Sequence, residues 1–406
     1  MDDALSWGSI IARILQQFLP VWIALIVTFA LSIRYKRNLG LYGKLFDSPV
    51  GMVGFLLVMF WVFTAIFADL IITMDPISQF GRIKNPLPGT KLINAAAGQY
   101  DYFLLGGDHL ARDVFSRVVM GARRVLMIAP AATAFAFMVG VTLGLPAGYI
   151  GGKLDTLLSF FANLVLAFPV ILLFYLLVTP EIRITGIPTY LAAVLFIFPV
   201  IFFATLFNSR FFTNPPRRNL YVGLTLAIGL WAYSGLAFNA DPTGEVLTWI
   251  SGKLGSERSF SDLWSMDPNL LNVFVSVVFV NSPTVFRIVR GLVMDLKARD
   301  YVAAGQTRGE GAWYIMLWEI LPNARGPLIV DFCLRIGYTT ILLGTLGFFG
   351  LGVSPESPDW GSTIDDGRKL LAIFLHPAIT PALALMSLVL GLNLLADGLR
   401  EESMKD

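Results

Sequence analysis

Three Gly-Lys pairs come closest to a nucleotide-binding motif in this sequence, and each fails the same test. A phosphate-cradling loop requires a glycine five residues before the second glycine of the motif and a Ser or Thr after the lysine. The upstream positions hold Asn38, Ala147 and Leu247, and leucine follows each lysine. The chain therefore lacks a P-loop. We expect it to carry no cofactor of its own, so that any ATP and Mg²⁺ would be bound by a partner protein.

Other enzymatic chemistry is weakly represented. Residues 352–356, GVSPE, begin like a nucleophile elbow but lack its closing glycine. The two histidines, His109 and His376, are far apart in the sequence, which argues against a histidine-based metal site. We therefore predict no catalytic residue and no metal ligand. The single Cys333 cannot form an internal disulfide.

One pair of ionisable side chains stands out inside an apolar stretch. Asp331 and Arg335 are spaced i, i+4, so on a helix they can pair with each other. Charged residues within membrane spans often mark ion or proton coupling, so lining a transport pathway is the alternative to a structural ion pair. A proton-coupled secondary transporter or channel is accordingly the alternative function for the whole chain.

The composition is that of a membrane protein. Of 406 residues, 56% are apolar and only 14% are charged, and the mean hydropathy is +0.69. So little polar surface excludes an ordinary soluble globule. A net charge of +2 offers no basic surface for nucleic acid. The first residues, MDDALSW, have no basic residue ahead of the apolar stretch, so we expect no cleavable signal peptide.

Nine stretches are long and apolar enough to cross a bilayer, which takes about 20 residues. Lipid offers no partners for the polar groups of an open strand, so each stretch is predicted to be a helix and the fold class is an all-α polytopic membrane protein. The predicted spans are Ile14–Ile33, Val50–Thr73, Val125–Tyr149, Leu157–Val178, Pro188–Asn208, Leu220–Phe238, Leu270–Val289, Pro327–Gly350 and Ala378–Leu395.

The basic residues of the short connections predict the orientation, because such residues stay on the cytoplasmic side. Alternation through nine spans places three basic connections on one face, with the amino terminus outside and the carboxyl terminus in the cytoplasm. The long external connection 74–124 is also basic, but long loops follow the rule poorly. The three connections contain Arg34, Lys36, Arg37 and Lys44; Arg210, Arg217 and Arg218; and Lys297, Arg299, Arg308 and Arg325.

The third of these connections contains a polar to amphipathic segment, residues 300–322. Small residues in its first part would let a helix press its backbone into a groove of a partner, and Leu321 and Pro322 are predicted to end it, because proline lacks an amide donor. An ordinary amphipathic loop between two spans is the alternative. The small residues are Ala303, Ala304, Gly305 and Gly309.

This spacing resembles the "EAA" signature of ABC transporter permeases, which in that family forms a cytoplasmic coupling helix seated on an ATPase. In this chain Ala303 stands where the signature has glutamate, and Gly305 stands in place of its second alanine. An acid-dependent contact at that position is therefore not expected, whereas the small-residue surface and Gly309 remain.

Three further segments resemble the C-type subunit of dipeptide, oligopeptide and nickel ABC importers. They are residues 105–124, with the pattern GGDHLARDVFSR followed by GARR, residues 148–169, and residues 347–368, with FFGLG, PDWG and GR. Without the resemblance they would be an interfacial amphipathic helix, a helical hairpin with a proline kink, and glycine packing beside an aromatic anchor. The candidates for an external helix or gate are Asp108, Arg112, Asp113, Arg117, Trp360, Gly361 and Arg368.

The resemblance implies a permease subunit in a bacterial inner membrane, without enzymatic activity of its own. Its expected partners are a B-type permease in a heterodimer, two cytoplasmic ATPase subunits, an external substrate-binding protein and membrane lipid. It also divides the chain into an extra amino-terminal span with a basic connection (1–49), a first part of the permease core (50–179), an inserted pair of spans with an external loop (180–268) and a second part of the core (269–406) that contains the coupling loop 290–325.

Overall fold

The structure is a computed structural model and describes residues 4–80, 84–92, 100–238, 268–351 and 357–403. The predicted external segment Asp241–Pro268 lies outside these ranges except for Pro268, and so do Arg82 and residues 352–356. The regular elements of the described residues are helices, with only the isolated bridges Lys91–Tyr102 and Gly107–Asp113 as β-type pairing. The all-α prediction is therefore confirmed.

The helices are numbered in chain order. They are α1 Trp7–Gln17, α2 Leu19–Tyr35, α3 Gly40–Lys44, α4 Pro49–Ile66, α5 Ala68–Ile71, α6 Val114–Ile150, α7 Gly152–Leu166, α8 Val170–Val178, α9 Pro180–Ile184, α10 Ile187–Leu195, α11 Ile197–Arg210, α12 Pro215–Phe238, α13 Pro268–Leu296, α14 Asp300–Thr307, α15 Ala312–Tyr314, α16 Leu321–Asn323, α17 Arg325–Phe348, α18 Trp360–Arg368 and α19 His376–Ser403. Short 3₁₀ turns cover Lys36–Asn38 and Leu45–Asp47, and a π-helix covers Ile315–Ile320.

Eight helical segments of the described chain are long and apolar enough to cross a membrane, and a bent pair brings the number to nine. Each overlaps one predicted span, so the polytopic prediction is confirmed. The unbroken segments are Leu19–Asn38, Pro49–Ile66, Val114–Ile150, Ile187–Arg210, Pro215–Ala237, Asn269–Leu296, Arg325–Phe348 and His376–Glu402.

Two predicted elements differ from the structure. The span predicted at Leu157–Val178 is bent by 81° between α7 and α8, because Pro169 caps α8 with extended backbone geometry instead of continuing α7 through a kink. The external amphipathic helix and the third span are one helix, α6, of 37 residues. At 1.5 Å per residue it is about 55 Å long and exceeds the bilayer core of about 30 Å by several turns.

The chain forms two compact units. One contains residues 1–130 and 329–406, and the other contains residues 131–328. In the first unit α4 and α19 pack closely through glycines. A Cβ on Gly54 would lie 2.3 Å from the backbone nitrogen of Leu395, and one on Gly398 would lie 2.4 Å from the Cα of Gly51. In lipid the hydrophobic effect does not drive helices together, so close packing through small residues is a main source of their association.

In the second unit the closest packing joins α6 to α13. Gly140, Gly144 and Gly148 follow one face of α6 at intervals of four residues, and a Cβ on any of them would lie within 3.0 Å of α13. A tight turn then leads from α6 to α7, since Gly151 and Gly152 have φ of 72° and 62°, which L side chains rarely adopt.

We expect Gly144→Leu to destabilise the second unit by about 1–3 kcal/mol, because its Cβ would lie 2.9 Å from Val289 and 3.0 Å from the carbonyl oxygen of Phe286. Thermal unfolding in detergent measures the loss. Gly291→Leu on α13 is the matched control, since no atom lies within 4 Å of its Cβ position. Equal unfolding temperatures for the two variants would contradict the packing described here.

Candidate functional site

The first candidate site is α14, within the loop predicted to dock on a partner. Arg299 precedes the helix in an extended conformation, and Asp300 lies in its first turn, where a negative charge is favourable. Gly309 ends the helical segment with φ of 76°. The amide of Glu310 donates to the carbonyl of Gly305 at 3.2 Å and that of Gly309 to Gln306 at 3.0 Å, which is the Schellman capping arrangement.

The two faces of α14 differ in what they contact. Val302 is fully buried and Gly305 is buried, with a Cβ position on Gly305 that would lie 3.6 Å from the side chain of Ile315. Ala303, Ala304 and Thr307 are exposed on the other face. The helix thus packs on its own chain with one face and presents small residues to the outside with the other.

These positions change the roles predicted for the two glycines. Gly305 faces the π-helix of its own chain and is not available to a partner. Gly309 is exposed, and its left-handed conformation caps α14, which gives a reason for glycine there that needs no partner. Of the four predicted small contacts, Ala303, Ala304 and Gly309 are exposed, and only Ala303 and Ala304 lie within α14 itself.

The segment after α14 also differs from its prediction. Leu321 and Pro322 were expected to end it, yet the chain continues from α15 through the π-helix into α16. Pro322 lies at the start of α16, where its missing amide donor costs little. Leu321 is partly buried and Pro322 is exposed. The turn between the loop and α17 is confined to Ala324.

A single apolar cluster joins α14 to the long helices of its unit. It includes Val302 of α14, Ile315 and Ile320 of the π-helix, Leu145 of α6 and Val289 of α13. A displacement of α14 would therefore act directly on two predicted membrane spans.

Polar contacts fix the same segment at its edges. Arg308 pairs with Glu319 at 2.6 Å, and the Gln306 amide donates to the hydroxyl of Tyr149 at 3.1 Å. Lys297 donates to the carbonyl of Gly148 at 2.9 Å, at the end of α6. The loop is thus tied to α6 at two points besides the apolar cluster.

The second candidate site is a buried polar cluster in the first unit, which we call the polar joint. It consists of Asp108, Arg112, Asp113, Arg117, Ser357, Asp359, Thr363 and Asp366. Arg112 donates from Nε to Asp108 at 2.6 Å and from Nη2 to Asp366 at 2.9 Å, and its side chain is 3% exposed. Buried charges require such partners, because isolated burial is costly.

Arg117 is a fully buried charge of the polar joint, with a side chain 0% exposed. Its guanidinium donates to the hydroxyl of Thr363 at 3.2 Å and to the carbonyls of Pro76 and Ser357 at 3.3 and 3.1 Å. One side chain of α6 therefore holds together the loop after α5, the segment before α18, and α18 itself.

Asp113 caps the start of α6. Its Oδ2 accepts hydrogen bonds from the amide and hydroxyl of Ser116 at 2.9 and 2.6 Å and from the hydroxyl of Thr73 at 3.0 Å. Burial raises the pKa of the Asp113 carboxyl above its ordinary value, and the bonds from Ser116 and Thr73 oppose part of that shift. Burial likewise raises the pKa of Asp359.

A raised carboxyl pKa gives a pH dependence with a defined sign. The folded chain binds the Asp113 proton more tightly than the unfolded chain, so this contribution to stability is full below the ordinary pKa of about 3.9 and is lost as pH rises through the folded value. We expect Asp113→Asn to reduce this dependence of the unfolding temperature between pH 4 and 8. Asp69→Asn is the control, and it should change the pH dependence of the unfolding temperature in the opposite direction, because Arg123 lowers the pKa of Asp69. A wild-type pH profile for Asp113→Asn would contradict the assignment.

Trp360 anchors α18 in the core and is 0% exposed. Its Nε1 donates to the carbonyl of Val118 at 2.8 Å, and its ring lies edge-on to Trp61 with centroids 5.1 Å apart. The ring fits against Gly121, where a Cβ would lie 2.4 Å away. Gly361 is equally constrained, since its Cβ would lie 2.1 Å from the carbonyl oxygen of Gly344.

The predicted gate residues thus fall into two groups. Asp108, Arg112, Asp113, Arg117, Trp360 and Gly361 are buried within their own unit. Arg368 is exposed, where it pairs with Asp365 at 2.7 Å and stacks over the ring of Phe348 at 4.7 Å. The alternative interpretation of Trp360 as an interfacial aromatic anchor does not hold, because the ring is enclosed by protein. Arg368 is the exposed member of the predicted gate residues.

The partners of the polar joint were not predicted from the sequence. Asp359, Thr363 and Asp366 come from α18 and the residue before it, more than 240 positions after Arg112 and Arg117. Asp359 carries a local signal, since its side chain accepts the amide of Ser362 at 3.1 Å as a helix N-cap. Nothing local in the sequence assigns Thr363 or Asp366 to an arginine so distant.

His109 lies beside the polar joint. Asp108, His109 and Asp366 each place one possible ligand atom within 4.8 Å of the others. Arg112 already pairs with both carboxylates, and Nε of Arg117 lies 4.0 Å from Oδ2 of Asp108, so the two carboxylates face two guanidinium groups.

The intramembrane ion pair forms as its spacing predicts. Nε of Arg335 lies 2.6 Å from Oδ2 of Asp331, and the two side chains are 9% and 17% exposed. Each charge therefore has its partner on the same helix, α17.

Comparisons with known proteins find that this chain is similar to transport proteins. Residues 244–401 match the family described as binding-protein-dependent transport system inner membrane component. The glutathione transport system permease protein of Pectobacterium atrosepticum is 29% identical over 297 residues, which cover 73% of this chain and 70% of the relative. The dipeptide transport system permease protein of Alkalihalophilus pseudofirmus is 26% identical over 360 residues, which cover 89% of this chain and 87% of the relative. The di/tripeptide transport system permease protein of Pseudomonas aeruginosa is 26% identical over a segment that covers 91% of this chain and 93% of the relative.

Proposed function

We propose that this chain is a permease subunit of an ABC transporter that couples ATP hydrolysis on partner subunits to the import of di- or oligopeptides. The matched domain and the similar permeases, which extend over most of the chain, support this proposal. Its multi-pass helical architecture is that of a membrane-embedded permease. The coupling role, the substrate class and the partners are our proposal.

The observation that carries the coupling role is the two-faced packing of α14. Its inner face is continuous with the apolar cluster that contains residues of α6 and α13. Its outer face presents Ala303 and Ala304, whose small side chains would let an ATPase subunit approach the helix backbone closely. A helix fixed on one side and free on the other can pass a displacement from a partner to the membrane spans.

In the proposed mechanism the closure of two cytoplasmic ATPase subunits around ATP moves α14. Since Val302 packs in one cluster with Leu145 and Val289, α6 and α13 would move with it as a rigid group. The spans would then open a path to one face of the membrane at a time. The substrate would arrive from an external binding protein, and the second half of the path would come from a B-type permease in a heterodimer.

The proposed orientation follows from this coupling. α14 and its basic neighbours would face the cytoplasm of a bacterial cell, with the amino terminus outside the inner membrane and the carboxyl terminus inside. ATP and Mg²⁺ would be bound by the ATPase subunits, because the sequence of this chain contains no P-loop.

The direct test is reconstitution of the tagged chain, co-purified with its partners, into vesicles. We expect ATPase subunits in the purified complex. We also expect that peptide uptake requires ATP on the side of the membrane at which α14 is exposed. Uptake by the chain alone, driven by a proton gradient without ATP, would identify a secondary transporter and overturn the proposal.

A further inference from the structure

The inserted helices form an open apolar cavity that the proposed transport function does not use. It has a volume of about 370 Å³ and is lined by Phe196, by residues of α11 and α12, and by one side chain of α6, Phe135. Phe196 and Phe135 meet at its far end with ring centroids 5.2 Å apart. The lining is aliphatic and aromatic apart from Thr225 and the hydroxyl groups of Tyr221 and Tyr233. Since the Tyr233 hydroxyl donates to the carbonyl of Ala193 at 2.8 Å, it is already engaged.

The cavity is long and borders the membrane. Its lining on α12 extends from Tyr221 to Leu236, a rise of about 22 Å. This exceeds the thickness of one leaflet of the bilayer core, about 15 Å. Phe203, Tyr221 and Leu224 line it and are also partly exposed at the surface of the chain, at 39%, 40% and 48%. A hydrocarbon chain could therefore enter from the surrounding lipid.

Three arginines lie at one end of this cavity. Arg210 is one turn beyond the lining residue Phe207, and Arg217 and Arg218 are one turn before the lining residue Tyr221. The rings of Phe211 and Tyr221 stack 4.9 Å apart and close the hairpin between the two helices. The arginines are therefore grouped at the hairpin tip, directly beyond the apolar lining.

These arginines have no acidic partner among the described residues. Arg210 stacks on the ring of Trp318 at 4.7 Å, and Arg218 donates to the amide oxygen of Asn219 at 3.2 Å. Arg217 and Arg218 also lie in the first turn of α12, where the positive end of the helix dipole disfavours cations. An anion bound at the tip would relieve this unfavourable charge placement.

We propose that this cavity binds an acyl chain of an anionic phospholipid, with the phosphate group against Arg217 and Arg218. The apolar lining would hold the acyl chain, and the guanidinium groups, which have no acidic partner among the described residues, would hold the headgroup. Basic residues beside an apolar cleft between membrane helices have the chemistry that anionic lipids require. Arg210, held in place by Trp318, adds a third positive charge at the same end.

Native mass spectrometry of the full chain, purified in detergent with equal amounts of phosphatidylglycerol and phosphatidylcholine, tests this proposal. We expect wild type to retain phosphatidylglycerol selectively. Arg217→Ala combined with Arg218→Ala should weaken that retention about 30-fold, the loss expected for two surface arginines. Arg34→Ala combined with Arg37→Ala is the matched control, since it removes the same charge from an exposed connection without this cavity.

A second variant tests the cavity without changing charge. Ala232→Trp places a large side chain among the lining residues, and we expect it to reduce retention of phosphatidylglycerol while the arginines remain. Thermal unfolding checks that the variants are folded. The proposal is overturned if wild type retains both lipids equally, if the Arg217 and Arg218 variant behaves like its control, or if the cavity is covered by a second copy of the chain with no bound lipid.

Discussion

Ala304→Arg is expected to lower ATP-driven peptide uptake by at least about tenfold, while the thermal stability of the isolated chain stays within experimental error of wild type. Ala304 is exposed on α14, so a long side chain there meets no other part of its own chain. It would instead hold an ATPase subunit away from the helix backbone, and a loss of about 1.4 kcal/mol of binding already gives a factor of ten. Uptake into reconstituted vesicles and ATP hydrolysis by the purified complex measure the effect.

Ala304→Ser is the matched control, because it keeps a small side chain at the same exposed position. We expect uptake close to wild type. Gly309→Arg is a poorer probe of docking, since φ of 76° strains any L side chain and the variant would disturb the cap of α14 by itself. Normal uptake by Ala304→Arg would show that this face of α14 is not a coupling surface.

Trp360→Ala is expected to cause the largest loss of stability, about 3–5 kcal/mol. The ring is 0% exposed, and its removal would leave a cavity beside Gly121 and Trp61 and would remove the hydrogen bond to the carbonyl of Val118. Because α18 also supplies Thr363 and Asp366 to the polar joint, loosening it would expose the buried charges of Arg112 and Arg117. Thermal unfolding in detergent and the yield of folded protein are the measurements.

Two controls distinguish the contributions at Trp360. Trp360→Phe keeps an aromatic ring and removes the hydrogen bond to Val118, so a loss of about 1 kcal/mol is expected. Trp7→Ala removes the same side chain from a position that is 68% exposed and should have little effect. If Trp360→Ala were no more destabilising than Trp7→Ala, α18 would not be anchored as described.

The membrane spans were predictable because their signal is local. About 20 apolar residues in a row identify a span regardless of what it packs against, and every predicted span overlaps a helical segment. Helix ends were less accessible, because they depend on tertiary contacts. The extension of α6 back to Val114 rests on the cap by Asp113 and the burial of Arg117, and neither follows from hydropathy.

In the candidate sites, too, local features could be predicted from the sequence and tertiary contacts could not. The small residues, Gly309 among them, could be located from spacing. The capping role of Gly309 was not predicted, and the direction in which Gly305 faces could not be, because it depends on Ile315. Arg112 and Arg117 were identified as important charges and placed on an external surface. Their burial depends on partners in α18 that are distant in sequence, and one sequence gives no means of pairing them.

Site-directed cross-linking from Ala304 tests the central claim most directly. Ala304→Cys in a Cys333→Ala background leaves a single exposed thiol on the outer face of α14. We predict that it cross-links to an ATPase subunit in the purified complex and that ATP changes the yield. Ile184→Cys, at a position 88% exposed in the connection between α8 and α10, should give no such product. Equal cross-linking from both positions, or none from Ala304→Cys in an active complex, would contradict the assignment of α14 as the coupling helix.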